Sequence, residues 1–326
     1  VTSRTWAVLG ATGFVGSATV ARLQADGQRV VPVAAPRLAS GAHTVHHLLQ
    51  QAGRLESVLD YLAESFAGAD VVLNAAGLAA PDQRHEESLI GANALLPVLV
   101  ALAARRTSVR RVLHVSSAAV QGDVDVLDET PTVRPFSPYS FSKALGESAL
   151  LKLRRDWVDD RDAPGVTVLR ATSVQGSGRR TTARLVRFAS SPVSSVAGDG
   201  TAHTPVTSVH ALAEFTSRAG RHAGTLPPVV LQPWEGATTA SILRDAGRRE
   251  PLRLPAPLCR LVVDTAFGLS ALAGHRWHGL VRRLEVTWFG QRQARGWAEE
   301  HDAVPEPRIG EVLRQAHLAA GRRRRG

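Results

Sequence analysis

Cysteine is nearly absent: Cys259 is the one thiol in 326 residues. A single thiol cannot build an internal disulfide framework or a thiolate zinc site, and such sparing use fits a reducing compartment. Long apolar runs are lacking as well. No stretch reaches the roughly eighteen uncharged apolar residues of a membrane-spanning helix. The nearest candidate, Pro255 to Gly274, is interrupted by Arg260 and Asp264. The first apolar run leads straight into a glycine motif, so a secretory leader is not expected. These absences set the expectation of a soluble cytoplasmic protein with no membrane partner. No basic stripe interleaved with aromatics is present, so no nucleic-acid partner is expected.

What is present describes a folded chain. Hydrophobic residues make up 44% and charged residues 21%, enough apolar material for a sizeable core. The length fits one large α/β unit, or a large and a small lobe sharing a cleft. Net charge is +10, from 39 basic against 29 acidic residues. The basic residues are scattered, and the terminal run Arg322 to Arg325 reads as a solvated, disordered end.

Strand and helix patterns alternate. Thr5–Leu9, Val30–Ala34, Asp70–Leu73, Val112–Val115 and Val166–Leu169 are short apolar runs, as buried parallel strands should be. Helical patterns fall near 17–25, 54–67, 91–105 and 138–155. The expected architecture is a Rossmann-type doubly wound parallel sheet over residues 1–175, completed by about 203–235. A smaller, mostly helical substrate-binding region is expected over 176–320, with helices near 241–247, 258–273, 280–300 and 309–319. Residues 321–326 form the expected basic tail.

Gly10-Ala11-Thr12-Gly13-Phe14-Val15-Gly16 follows the first strand and opens a helix. Gly10 permits a tight turn, Gly13 lets a pyrophosphate approach the backbone, and Gly16 lets helix pack on strand. The helix N-terminus offers free N–H groups and a positive dipole end. The acidic residue expected at the end of the second strand is missing, and Arg37 stands nearby. An acid there would accept from the adenosine ribose and repel a 2′-phosphate; an arginine pairs with that phosphate. The pattern favours NADP, with NAD as the alternative, although a solvated loop arginine reads almost as well.

The catalytic signal is Ser117, Tyr139 and Lys143. Tyr139 and Lys143 are four residues apart, so on a helix they share a face. A nearby ammonium lowers a phenol's pKa, and the phenol can then act as general acid or base on a carbinol or carbonyl oxygen. Ser116-Ser117 closes a strand, where a hydroxyl could hold the same oxygen. The whole chain has two lysines and two tyrosines, which makes a chance match less frequent.

Taken in order, Gly10–Gly16, Asn74-Ala75-Ala76-Gly77, Asn93, Ser116–Gly122, Ser137–Lys143, Leu169–Gly176 and Gly198–Gly200 resemble the extended short-chain dehydrogenases/reductases of the NAD-dependent epimerase/dehydratase type. The likeness runs from Thr5 to about Ala213. It implies that the glycine loop, Arg37, Asn74–Gly77, Asn93 and Ser116 line the cofactor together with Tyr139 and Lys143. It implies that Ser117 polarises the substrate oxygen, Tyr139 exchanges its proton, and Lys143 holds the nicotinamide ribose and tunes the tyrosine. Substrate contacts would come from Ser117, Ala118, Ser173, Arg179 and Arg180, the arginines facing a nucleotide diphosphate. A homodimer through a four-helix contact including the Tyr139 helix is also implied.

Departures narrow the activity. Ala118-Ala119 stand where 4,6-dehydratases carry an Asp-Glu pair, so dehydration is disfavoured. Ser173 replaces an asparagine that often meets the sugar in epimerases. Ala171, Gln121, His210 and Leu55 also depart from the pattern. A ketoreductase acting on a nucleotide-linked sugar is the expected function, with a 4-epimerase second and a non-catalytic NAD(P)-binding regulator third. No metal site is expected, because His43, His46 and His47 lack a partner carboxylate at ligand spacing. Trp277, Trp288 and Trp297 read as packing residues, and 258–273, whose basic flanks could also suit a membrane surface, reads first as a buried helix.

Overall fold

The computed structural model describes residues 3–79, 86–274 and 277–322. The chain opens with β1 (Thr5–Leu9), α1 (Phe14–Ala25) and β2 (Arg29–Val33). Two helices, α2 (Val45–Ala52) and α3 (Glu56–Ser65), lead to β3 (Val71–Asn74). Next come α4 (Glu86–Ile90), a π-helical turn over Gly91–Leu95, α5 (Leu96–Arg105) and β4 (Arg111–Ser117). The short β5 (Val126–Leu127) precedes α6 (Pro138–Asp156), β6 (Gly165–Ala171) and β7 (Ser173–Gln175). Then follow α7 (Arg180–Ala189), β8 (Ser195–Ala197), β9 (Val206–Ser208), α8 (Val209–Arg221) and β10 (Val229–Leu231). The remainder is α9 (Thr239–Gly247), β11 (Leu252–Leu254), α10 (Ala256–Leu272), α11 (His278–Phe289), β12 (Arg292–Gln293), α12 (Trp297–Glu300) and α13 (Ile309–Arg322).

Six parallel strands form one sheet in the order β10-β6-β4-β3-β1-β2. Helices cover both faces, as the alternating pattern requires: this is the Rossmann-type doubly wound fold. On one face Leu9, Val72 and Val112 pack against Leu48, Leu59, Leu99 and Leu145 of α2, α3, α5 and α6. On the other, Val8, Leu73 and Leu113 pack against Leu23, Leu212 and Trp297 of α1, α8 and α12. A smaller core joins α7, α9 and α13 through Val186, Leu243 and Leu313.

Three sequence expectations change here. The most apolar long helix among the described residues is Glu86–Arg105, not Pro255–Gly274, and 78% of its apolar window lies inside the protein. It is a core helix by position. The helix expected over 280–300 is broken: α11 ends at Phe289, and β12 pairs in parallel with β5 before α12 begins. The segment 258–273 is helical but not buried, since Leu258, Leu261, Leu269 and Leu272 are exposed. At the C-terminus α13 continues to Arg322, so Gly321 and Arg322 are helical; residues 323–326 of the expected tail lie outside the described residues.

The helix pair through which the resemblance implies dimerisation is covered from within the chain. Residues 96–101 of α5 and 142–147 of α6 are buried. Their outer side meets α2 and α3, whose Leu48, Ala52, Leu59 and Leu62 belong to the same core.

Strand order reverses between β2-β1 and β3-β4, and a crevice opens at the carboxyl ends there. Its walls approach closely. Gly10 has φ +76°, and a Cβ on it would lie 2.7 Å from the Ala76 nitrogen. A Cβ on Gly16 would fall on the Gly10 carbonyl oxygen, whereas one on Gly13 would meet that oxygen at 3.1 Å. Gly10 and Gly16 are therefore required by the fold, whereas a Cβ at Gly13 is tight but needs only a few tenths of an ångström of give. We expect Gly16→Ala to cost about 1–3 kcal/mol in urea unfolding, and Gly13→Ala to cost less than about 1 kcal/mol while weakening dinucleotide binding. Equal losses of stability would contradict this division.

Candidate active site

The site is assembled by the start of α6 and the end of β4. Ser137 caps α6: its hydroxyl accepts from the Ser140 N–H at 3.1 Å, and the Ser140 hydroxyl accepts from the Ser137 N–H at 2.9 Å. Pro138 fills the first helical position, where no N–H is needed. Tyr139 and Lys143 therefore stand one turn apart at the mouth of the crevice. Lys143 is buried, and its Nζ donates to the Val115 carbonyl at 2.9 Å. That bond ties the helix to β4, next to Ser117. The Ser117 hydroxyl accepts from the Ala119 N–H at 3.2 Å, which holds it at the strand end.

Ser117 lies close enough to the Tyr139 phenol to favour its ionised form. Arg179 does the same through its charge. Burial is the larger effect, and it raises the phenol pKa above its ordinary 10.0. This corrects the assignment made from spacing. Lys143 is turned toward Val115 and the Asn74–Gly77 segment, and the cation acting on the phenol is Arg179. The Arg179 guanidinium stacks over the Phe14 ring at 4.7 Å and donates to the Val174 carbonyl at 2.8 Å. It spans from the glycine loop toward Tyr139 rather than standing free as a diphosphate clamp. Arg180 is exposed at the first residue of α7.

The remaining residues expected to line a cofactor divide by what they contact. No side chain caps α1, whose N-cap is Gly13, so its first-turn N–H groups face the crevice as an anion cradle should. Thr12 is exposed, and Phe14 and Val15 are half-buried, on this loop. Asn74 is fully buried, its Oδ1 accepting from Ala76 N–H at 3.1 Å, while its Nδ2 has no partner in the protein. Ala75 and Ala76 carry the backbone past Gly10. A Cβ on Gly77 would lie 2.8 Å from Asn93 Oδ1 and 3.2 Å from Lys143 Nζ, so the loop reaches the ammonium because glycine stands there. Asn93 sits in the π-helical turn and is spent on protein: it accepts from Leu78 N–H at 3.0 Å and donates to the Leu78 carbonyl and to Ser142. It shapes the cradle from behind. Ser116 also points away, donating to Glu147 at 2.5 Å. Ala118 is buried, and Ser173 is exposed with its hydroxyl accepting from Gln175. Arg37 is exposed past β2 and forms no ion pair among the described residues. These features fit a dinucleotide: an uncapped helix start, an unfilled glycine cradle and an unpartnered buried amide donor.

Sequence reasoning missed the pair beneath the site. Glu147, one turn beyond Lys143, and Arg170 on β6 are both fully buried and bridged at 2.9 Å. Arg170 also donates to the Thr130 carbonyl at 2.7 Å, reaching the loop that follows the 118–121 turn. The available signal was the four-residue spacing from Lys143 to Glu147. His114, on β4 beside Lys143, is fully buried, and its pKa falls well below 6.5 through burial first and the lysine charge second. It therefore stays neutral. A cavity of about 380 Å³ lies apart from the triad, between residues 123–125 and α11. Its arginines Arg260 and Arg282 are already paired with Glu285 and Asp123. No histidine, cysteine or carboxylate cluster able to hold a metal occurs among the described residues.

Burial lowers the Lys143 pKa to about 8, against a smaller opposite effect of Glu147. The ammonium is present below that value and is lost as pH rises through it. With two lysines in the chain, NMR of isotope-labelled lysine should show one side chain titrating near pH 8, and Lys143→Arg should remove that signal. Titration of that side chain at its ordinary value would refute the burial argument. Glu147→Gln should leave the Arg170 charge buried without its partner and cost about 3–5 kcal/mol. Adding Arg170→Met should recover most of that loss in denaturant unfolding.

A family model described as NAD dependent epimerase/dehydratase family matches residues 6–229. Solved structures similar to the chain include a UDP-glucuronic acid 4-epimerase from Bacillus cereus in complex with NAD. It is 16% identical, with 98% of this chain and 96% of that one covered at a TM-score of 0.64. MoeE5 in complex with UDP-glucuronic acid and NAD is 20% identical, covering 98% and 99%, at 0.60. RMD from Pseudomonas aeruginosa complexed with NADPH is 18% identical, covering 98% and 99%, at 0.58. At such identities these structures speak for the fold, and the family match extends over more than half of the sequence. The chain belongs to the NAD-dependent epimerase/dehydratase family, enzymes of the extended short-chain dehydrogenase/reductase type.

Proposed function

We propose that this enzyme is an NADPH-dependent ketoreductase acting on a nucleotide-linked sugar. The observation that carries the reading is the Ser117 hydroxyl beside the Tyr139 phenol, with Lys143 one turn further along the same helix and tied to β4, near the uncapped start of α1. The nicotinamide, when bound, supplies a hydride to the carbonyl carbon. The Tyr139 hydroxyl gives its proton to the oxygen of the carbonyl as it becomes an alcohol. Ser117 donates a hydrogen bond to the same oxygen and keeps it beside the phenol. Lys143 offers its ammonium to the nicotinamide ribose from the floor of the crevice. Arg179 opposes the rise that burial imposes on the phenol pKa. A general acid needs its proton at working pH, so a raised tyrosine pKa suits reduction.

Preference for NADPH rests on the end of β2. Ala34, Ala35 and Pro36 present no carboxylate, and Arg37 is exposed without an ion pair among the described residues. Support for a nucleotide-linked substrate comes from the exposed Arg180 at the start of α7 and from the substrates named for similar structures, UDP-glucuronic acid among them. The 4-epimerase reading stands second, because the same triad would serve it and the fold matches such an epimerase. Ser173 in place of an asparagine, and the absence of a ribose acid, count against it.

Tyr139→Phe should lower turnover by about 10²–10⁴ with little change in cofactor affinity; undiminished turnover would remove the proton-transfer role. Arg37→Ala should weaken NADPH binding about tenfold more than NADH binding in a fluorescence titration. Equal losses would end the case for the phosphorylated cofactor. Stoichiometric NADPH consumption during turnover would mark the reductase, and interconversion of sugar epimers without net consumption would mark the epimerase.

A further inference from the structure

α10 and α11 form a helical hairpin with two unlike sides. Cys259, Val263 and Ser270 turn inward and are buried. Leu258, Leu261, Val262, Leu269 and Leu272 turn outward, with exposures of 52, 63, 42, 57 and 88%. At about 100° per residue these five fall within roughly 100° of arc, a stripe interrupted by Thr265, whose hydroxyl is turned back to the Leu261 carbonyl at 2.7 Å. The stripe leads to the apex, where Trp277 and Leu280 are 54 and 67% exposed. Scattered exposed leucines are ordinary, but a stripe running into an exposed tryptophan at a hairpin apex is a docking surface.

The charge around it selects the occupant. From Leu269 to Arg283 the sequence holds no carboxylate and three arginines, Arg276, Arg282 and Arg283. Asp264 lies about 100° around the helix from the stripe's middle. Glu285, the other acid of the hairpin, is paired with Arg260 and Arg282. An apolar face tipped by a tryptophan, on a hairpin whose sequence holds four arginines against two carboxylates, is complementary to anionic lipid headgroups over an acyl layer. A second copy would bring the same cationic tip against its like or against the basic surface of a +10 chain. The hairpin is too deeply joined to the fold to span a bilayer, since its inner side packs on β8 and α9.

We propose that the α10–α11 hairpin docks this protein peripherally on an anionic membrane surface, seating the Leu258–Leu272 stripe and the Trp277 apex in the headgroup layer.

The test is co-sedimentation of the full chain with sucrose-loaded vesicles, either pure phosphatidylcholine or about one-third phosphatidylglycerol. Binding should require the anionic lipid and weaken at least about tenfold at high salt. The triple variant Leu269→Ser, Leu272→Ser, Leu280→Ser changes only exposed side chains, so its melting curve should match the parent. It should bind anionic vesicles at least about tenfold more weakly. Wild-type protein remaining in the supernatant with anionic vesicles overturns the proposal. Equal binding by the triple variant also overturns it, because the contact would then be a general effect of positive charge. Sedimentation velocity supplies the other outcome: a dimer that the triple variant dissociates, without vesicle binding, assigns the face to a second copy and overturns the lipid reading.

Discussion

The position of the Tyr139 phenol depends on a buried carboxylate. Glu147 has no solvent to stabilise its charge, so its environment must do so. It accepts from Ser116 on β4 and from Arg170 on β6, two neighbouring strands of the sheet. Arg170 passes the connection on to the Thr130 carbonyl. Glu147 is itself on α6, one turn from Lys143, which bonds the Val115 carbonyl. Helix, two strands and the loop after β5 are thus held in one register by three charged side chains. A hydrophobic replacement could fill the same volume, but it would not specify which turn of α6 faces which residue of β4. Tyr139 inherits its place from that register.

The same arrangement explains why the ammonium does not act on the phenol as spacing alone implied. Two side chains four apart on a helix share a face, but each follows its own hydrogen bonds. Lys143 is drawn down to the strand and to the glycine loop, where Gly77 leaves room for it. Arg179, from the start of α7, fills the space between Phe14 and Tyr139. The cation beside the phenol comes from a segment that shows no regular spacing to Tyr139 in the sequence.

The parallel sheet, the glycine crossing and the placing of Tyr139 and Lys143 on one helix were legible because each depends on local rules. Buried strands read as apolar runs, Gly10 and Gly16 mark backbone contacts that no Cβ permits, and Tyr139-Ser140-Phe141-Ser142-Lys143 lies on one helix. What escaped depends on contacts between distant segments. Asn93 reads as a cofactor ligand until its amide is seen to be used by Leu78 and Ser142. Arg170, just beyond the strand expected over Val166–Leu169, shows no role until Glu147 is placed opposite it. The break after Phe289 depends on β12 finding β5, more than 160 residues away. The apolar pattern of α10 is the reverse case: periodicity states that one face is apolar, but not whether protein covers it.

The distribution of covered and uncovered apolar surface follows from where the chain places its helices before β3. Between β2 and β3 the chain adds no strand to the main sheet, so β2 is its edge among the described residues. Instead residues 34–66 cross the α5–α6 face and lay α2 and α3 upon it, with Ser40 N–H bonded to the Glu87 carbonyl and Tyr61 to that of Ala34. A Cβ at Gly91 would fall on the Leu38 carbonyl oxygen, so this crossing lies tight against the π-helical turn that carries Asn93. The face is closed by its own chain, and its burial stabilises the sheet-bearing part of the molecule. The later helices offer no comparable cover for α10, whose outward leucines remain in water. Apolar area left in that state is unfavourable for the isolated chain, at about 25 cal/mol per Å². Its removal from water is therefore a driving force available to whatever surface it meets.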